Sequence, residues 1–363
     1  MAVPSSLTDN FDAILTTTLR AYQPKLRDNI SKGSKFLGFL ESKGQFRKQD
    51  GGERVQVNLM YGLNSTADIY SGYGTLDTTP QDGITAAFFD WSQLSVSIAI
   101  SRKEERQNSG KSKILSLLES KIMQAESSGK ELLNNCITAG RITASASLGR
   151  FLPRIGRMDS GATGPQPITA LVDANPSRSA AIGNINPSTY SFWRNQASSS
   201  VATTFAGWKA EMNNVYNNCS KGVMGNPDVL IGDQTAWETY WNLMSVQERY
   251  VIDDKKTLDI LGGSEALKFR GATFIWDEIV PDVETNAELV DAIGTPTVSN
   301  VHFLNTSTFE WVEDAQTGFI TTPFVRPENQ DAKVAQVLWM GALGVNNRRK
   351  NGVLYGISRS IVS

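Results

Sequence analysis

Hydrophobic and polar residues alternate through Arg54-Val55-Gln56-Val57-Asn58-Leu59 and again from Phe88 to Ile100, which predicts two long strands. The segment between them, Tyr61 to Gly83, is rich in Gly, Ser, Thr and Asp. It is too polar to form a core and too long for a tight turn, so a long hairpin with a projecting tip is expected. From Lys111 to Ala139 the period changes, and Ile114, Leu118, Ile122, Ala125, Leu132 and Cys136 recur every three to four residues. Ser109 or Asn108 is placed to cap the start of this helix and Gly140 to end it. At about 1.5 Å per residue it would be roughly 40 Å long, a strut.

Residues 140 to 188 are rich in Gly, Pro, Ser and Ala around the apolar patch Ile168-Thr169-Ala170-Leu171-Val172, which predicts loops and a domain boundary. A second helix, about Thr204 to Cys219, turns Phe205, Trp208, Met212 and Val215 to one side. After Gly225-Asn226-Pro227, the run Asp228 to Gly232 is a short buried strand. Asp233 then caps a third helix carrying Trp237, Tyr240, Trp241 and Met244, a strand-then-helix order typical of layered α/β folds. Phe274 to Val280, Val301 to Leu304, Phe309 to Val312, Val334 to Val345 and Val353 to Ile357 supply further strands.

Charge divides the N-terminal third. The first 48 residues hold eight basic side chains against four acids, with Leu26, Ile30, Phe36, Leu37 and Leu40 at near-helical spacing broken by Gly33 and Gly38. An arm with short helices is expected. The hairpin segment that follows has Glu53, Asp68, Asp77, Asp82 and Asp90 against Arg54 alone, acidic by about as much as the arm is basic. Over all 363 residues the formal charge is −2, so no global excess of positive charge points to nucleic acid or an anionic membrane. No run of eighteen apolar residues occurs, and the first ten residues lack a basic segment followed by an apolar one. A soluble chain without a signal peptide is expected. Cys136 and Cys219 lie in helical stretches without paired spacing and are expected to be reduced, buried side chains.

Catalytic chemistry is sparse. The single histidine, His302, sits in an alternating strand and is expected to be structural or surface, which argues against zinc sites and against Ser-His-Asp or Cys-His hydrolysis. Asn108-Ser109-Gly110-Lys111-Ser112 has the Gly-Lys-Ser end of a phosphate-binding loop. However, Glu105 replaces the glycine five positions before Gly110, and an acidic cradle repels phosphate. Asp159-Ser160-Gly161-Ala162 resembles an aspartic-peptidase signature, but it lies in a glycine-rich stretch without the apolar strand that would bury the aspartate. The densest basic patch, Arg348-Arg349-Lys350, reads as a turn between two strands able to make a modest phosphate contact. No cofactor or metal is expected.

The order of segments resembles the major capsid proteins of tailed bacteriophages with the Hong Kong 97-like fold, over nearly the whole chain. The stretches that carry the resemblance are 51–57 (Gly-Gly-Glu-Arg-Val-Gln-Val), Phe89-Asp90-Trp91 with Val96 to Ile100, and Ala170 to Asp173. Ser191 to Asn195, Asp228 to Asp233 and Asn346 to Leu354 complete them; none is specific alone, and their order and spacing are. The resemblance implies an α+β chain with an N-terminal arm (1–48), an extended β-hairpin loop (49–90) and a peripheral domain on a long spine helix (91–150). An axial domain (151–300) and return strands shared by both domains (301–363) follow. It implies a non-enzymatic subunit that self-assembles into hexamers and pentamers of an icosahedral shell around double-stranded DNA, in a virion assembled in the host cytoplasm. Portal, scaffolding and decoration proteins are the implied partners, with weak non-specific DNA contact and no membrane. With the arm starting almost at Met1, a separate scaffolding protein, or none, is expected.

Opposed charge suggests that the acidic loop, with Asp68, Tyr70, Tyr73, Asp77 and Asp82, lies over a neighbour's basic arm or strut helix, with Arg47 and Lys48 as assembly contacts. Lys25, Arg27, Arg348, Arg349 and Lys350 are the candidates to face DNA. The family's type member cross-links its shell through a loop lysine, whereas here no lysine occurs between Lys48 and Lys103, so no such bond is expected. Rival readings are an encapsulin-like compartment shell, a homodimeric peptidase using Asp159, and a nucleic-acid-binding protein using the arm.

Overall fold

The periodic stretches become elements in a computed structural model of the chain, which describes residues 35–107, 117–138, 168–177, 181–222, 225–244, 267–277, 298–318, 320–328 and 330–358. The N-terminal strand run is β1 (Phe46–Gln49), β2 (Val55–Met60), β3 (Ile84–Phe89) and β4 (Ser92–Ser101), preceded by helix α1 (Lys35–Ser42). The single strand expected over Phe88 to Ile100 is therefore two. Its buried positions run Ala87, Phe89 and then Ser92, Leu94, and that step of three at Asp90-Trp91 breaks the two-residue period. The chain changes partners there, since β3 pairs with β2 and β4 with β12.

Contacts divide the chain into two units. The described part of the first comes from residues 95–129 and 321–337. Its feature is a reciprocal cap on α2 (Arg102–Gln107): Glu104 N donates to Ser101 Oγ and Ser101 N donates to Glu104 Oε2, both at 3.2 Å. Lys121 Nζ donates to the same carboxylate at 3.0 Å and holds it below its ordinary range. The charged run read from sequence as a hostile phosphate cradle is thus a helix start.

Helix α3 (Leu117–Thr138) is the described part of the expected strut, about 33 Å long. The buried positions Ala125, Gly129, Leu133 and Ile137 form one i, i+4 row, so Leu133 is buried where Leu132 was expected. The cap at Asn108 or Ser109 lies outside the described residues. The 168–172 patch, expected within loops, begins as a one-turn helix, α4 (Ile168–Leu171).

The second unit holds a six-stranded mixed sheet. Its strands are β5 (Gln196–Ser199), β6 (Val229–Gly232), β7 (Leu267–Phe269), β8 (Ala272–Trp276), β9 (Val298–Leu304) and β13 (Gly352–Ser358), in the order β5-β13-β9-β6-β8-β7. Two helices cover one face. In α5 (Phe205–Ser220), Phe205, Trp208, Met212, Val215 and Cys219 form the apolar stripe, and Thr204 caps the start by accepting from Gly207 N. In α6 (Gln234–Met244), Asp233 accepts from Ala236 N at 3.3 Å and from Ser299 Oγ at 2.8 Å, tying the helix start to β9. Trp208, Tyr240 and Phe274 meet edge-on between helices and sheet, with centroids 5.9 and 5.4 Å apart.

The remaining strands, β10 (Phe309–Asp314), β11 (Ile320–Thr321) and β12 (Ala332–Val345), form a second sheet ordered β1-β10-β12-β11, with β4 also paired to β12. In it Trp339 stacks on Trp311 at 5.3 Å and donates to Glu313 Oε1 at 2.8 Å. The Trp339 ring folds over Gly341 so closely that a Cβ there would lie 2.4 Å from it, which is why this strand position is glycine.

Candidate assembly interface

The hairpin is a two-stranded ribbon with Val55 opposite Phe89 and Met60 opposite Ile84. Its inner face (Val55, Val57, Leu59, Ala87, Phe89) is buried by the chain's own residues, and Val57 and Phe89 approach Gly344. Beyond Met60 the polypeptide leaves the body. Tyr61 N donates to Gly83 O at 2.9 Å, closing the neck, and Ser65 Oγ donates to Gln81 Oε1 at 2.8 Å across the loop.

The loop tip is apolar as well as acidic. Leu63 is 91% and Ile69 98% exposed, Tyr73 is wholly exposed, Tyr70 and Leu76 add to them, and Met60 and Ile84 are exposed at the last pair of the ribbon. Such a group of large apolar side chains on one projection marks an interaction site. Sequence reading weighted charge, but magnitudes reverse the order. Fully burying one such side chain contributes about 1.5–3 kcal/mol, whereas an exposed ion pair contributes roughly 0–1 kcal/mol. Asp68, Asp77 and Asp82 remain exposed around this apolar group. Thr79 donates to Asp77 through hydroxyl and amide and lowers the pKa of that carboxyl.

The expected basic contacts occupy β1, an edge strand paired in parallel with β10. Arg47 and Lys48 are exposed there, and charges on an open edge discourage indiscriminate strand addition. Arg47 lies 3.8 Å from Glu310 of its own chain, a half-exposed pair that leaves the guanidinium accessible. Lys25, Arg27, the 108–112 motif and Asp159 lie outside the described residues.

The basic turn is a correction. Arg348 is 1% and Lys350 3% exposed, and only Arg349 points outward. Arg348 donates through Nε to Leu171 O at 2.7 Å and through its terminal nitrogens to Trp193 O at 2.9 Å and Asn195 Oδ1 at 3.0 Å. Lys350 Nζ donates to the carbonyls of Lys221, the C-cap of α5, and of Gly222 and Gly225 beyond the helix end. Neither side chain is free to meet DNA. Alternation could not show this, because two buried cations flanking an exposed one look like a solvated turn.

His302 is buried in β9 opposite Ile231 and Val353, and burial lowers its pKa to about 4. Its Nδ1 has no hydrogen-bond partner among the described residues. Cys219 is buried with its thiol pushed up to about 12, beneath Gly352, where a Cβ would lie 2.7 Å from the sulfur. The side chain of Cys136 is not described. Among the described residues no cluster of three or more His, Cys, Asp or Glu could hold a metal, and no helix is long and apolar enough to cross a membrane.

No family model matches the chain, and no curated protein matches its sequence. Solved structures do match. The subunit in the capsid of cyanophage A-1(L) superimposes with a TM-score of 0.63 over 93% of this chain and 97% of its own, at 14% identity. The chain carries the phage-capsid fold. Within this capsid fold the capsid of a native GTA particle follows at a TM-score of 0.52, 10% identity and coverage of 97% and 100%. The holo-SrpI encapsulin of Synechococcus elongatus matches at 0.55 and 9% identity over 100% of this chain and 99% of its own. The capsid fold implied by the sequence resemblance is the one observed, α+β with a two-stranded hairpin and a long helix.

Proposed function

We propose that the chain is the repeating, non-enzymatic subunit of a closed shell, forming hexamers and pentamers of an icosahedral container for double-stranded DNA. In this reading the shell is a virion capsid assembled in the host cytoplasm. A portal and a scaffolding protein are its partners, and a decoration protein is a further candidate. The observation that carries the reading is the hairpin, on a capsid fold, holding Leu63, Ile69 and Tyr73 almost wholly in solvent. A second copy covers them. Repetition of one modest contact around closed symmetry supplies the avidity a shell needs. The exposed acids, opposite in sign to Arg47 and Lys48, set register and encounter rate. Between Lys48 and Lys103 there is no lysine, so the loop docks without an isopeptide bond. Arg349, Lys25 and Arg27 remain the candidates for weak contact with DNA.

Two sets of substitutions test the docking. Ile69, Tyr73 and Leu76 changed together to Ser should abolish sedimenting particles at any salt. Asp68, Asp77 and Asp82 changed to Lys should lower yield and remove its salt dependence. Wild-type yield from both sets would sink the docking role. Full-length coverage by the encapsulin supports a compartment shell as the second reading. Nuclease-resistant DNA within purified particles favours a virion, and a co-purifying cargo protein without DNA favours a compartment.

A further inference from the structure

A bracket built from residues 182–195 of the same unit touches the hairpin at both ends of its two-stranded ribbon. Its first arm is a two-residue turn. Ile182 and Ile185 exchange backbone hydrogen bonds at 3.0 and 3.1 Å, with Gly183 and Asn184 between them at φ of 59° and 64°. Both central residues lie in the left-handed region, as a type I′ turn requires. Gly183 meets β3 directly. Phe88 N donates to Gly183 O at 3.1 Å, and a Cβ on Gly183 would stand 2.9 Å from Ala87 Cβ and 3.2 Å from the Phe89 ring. The second arm reaches the other strand, where Phe192 stacks on Tyr61 with centroids 5.0 Å apart and planes at 23°. The segment therefore meets the hairpin at both ends of its ribbon, at Phe88 on the body end of β3 and at Tyr61 just past the last pair, Met60 with Ile84.

The two arms are joined to each other and to the interior. Trp193 Nε1 donates to Ile182 O at 2.9 Å, and Arg194 closes the intervening loop by donating to Pro187 O and Ser188 O at 2.7 Å. Trp193 O accepts from Arg348, and Asn195 accepts from Arg348 while donating to Asp173 O at 2.7 Å. One planar guanidinium thus satisfies three acceptors from segments more than 150 positions away in sequence, a geometry that an ammonium cannot reproduce.

We propose that Arg348 is a positioning residue for the projecting hairpin: through Trp193 it fixes the 182–195 bracket, and the bracket sets the direction and stiffness of the hairpin. The proposal rests on the shell reading only for its consequence. A subunit that presents its hairpin ready-oriented loses less conformational entropy on docking.

The test uses hydrogen exchange of the full-length, unassembled subunit. Arg348→Lys, Arg348→Met and Phe192→Ala are compared with wild type, and assembly rate is measured in parallel. The Phe88 amide at the body end of the ribbon and the Tyr61 amide at its neck should exchange at least tenfold faster in all three variants. Amides of β6, β8 and α5 should change by less than twofold in Phe192→Ala, which touches the bracket but not the interior. Assembly should slow in the same order as exchange rises. Unchanged exchange at Tyr61 and Phe88 in Phe192→Ala, or an equal rise throughout that variant, would overturn the proposal. Because exchange is read on single subunits, this outcome is independent of whether wild-type protein forms shells.

Discussion

Acid should weaken this protein through one residue whose contribution can be isolated. His302 is the only histidine of the chain and is 6% exposed, and burial lowers its pKa to about 4 from an ordinary value of 6.5. Between these values the unfolded chain binds the proton and the folded chain does not, so stability rises with pH across that window. The contribution is fully present above pH 6.5 and is lost as pH falls towards 4. At about 1.36 kcal/mol per tenfold difference in proton affinity, the whole window amounts to on the order of 3 kcal/mol, and the part lost between pH 7 and pH 5 to roughly 2 kcal/mol. Carboxylates titrate nearby, so the assay is a difference. Urea unfolding of unassembled wild type and His302→Gln is measured at pH 7 and pH 5. Wild type should lose roughly 2 kcal/mol more than the variant between the two conditions. Parallel losses would refute the reasoning, as would an imidazole resonance in the folded protein that titrates near pH 6.5.

Two further outcomes test the corrected basic turn and the second sheet. Lys350→Met strands three carbonyls and should lower unfolding stability by about 1–3 kcal/mol, whereas Arg349→Met should stay within about 0.5 kcal/mol by urea midpoint. Equal effects would mean that the two cations are equally exposed. Gly341→Ala forces a methyl group against the Trp339 ring and Val312 O and should cost about 1–3 kcal/mol, with altered tryptophan fluorescence as the local readout.

Much of the fold could be read from sequence wherever one face is buried and the other is not. The stripe Phe205, Trp208, Met212, Val215 and the run Val229 to Gly232 became helix and strand within a residue of expectation, because burial imposes a period directly on side-chain choice. The break at Asp90-Trp91 was also present, as a slip of phase, but it is subtler than the alternation on either side. The burial of Arg348 and Lys350 is hidden from sequence because all their partners but the Asn195 side chain are backbone carbonyls, of Leu171, Trp193, Lys221, Gly222 and Gly225, and a carbonyl leaves no trace in residue identity. The hairpin's projection was legible from its polar loop. The weight of its apolar side chains was not, since Leu63, Ile69 and Leu76 reveal themselves as unpartnered only when the whole chain is folded around them.

The central claim is that copies of this chain close into a shell, and electron microscopy of the purified full-length protein tests it most directly. Raised through its assembly concentration, the protein should give closed particles or capsomer rings, and the Ile69, Tyr73 and Leu76 to Ser variant should give neither. A wild-type protein that stays monomeric or dimeric at every concentration, with its hairpin intact by hydrogen exchange, would contradict it.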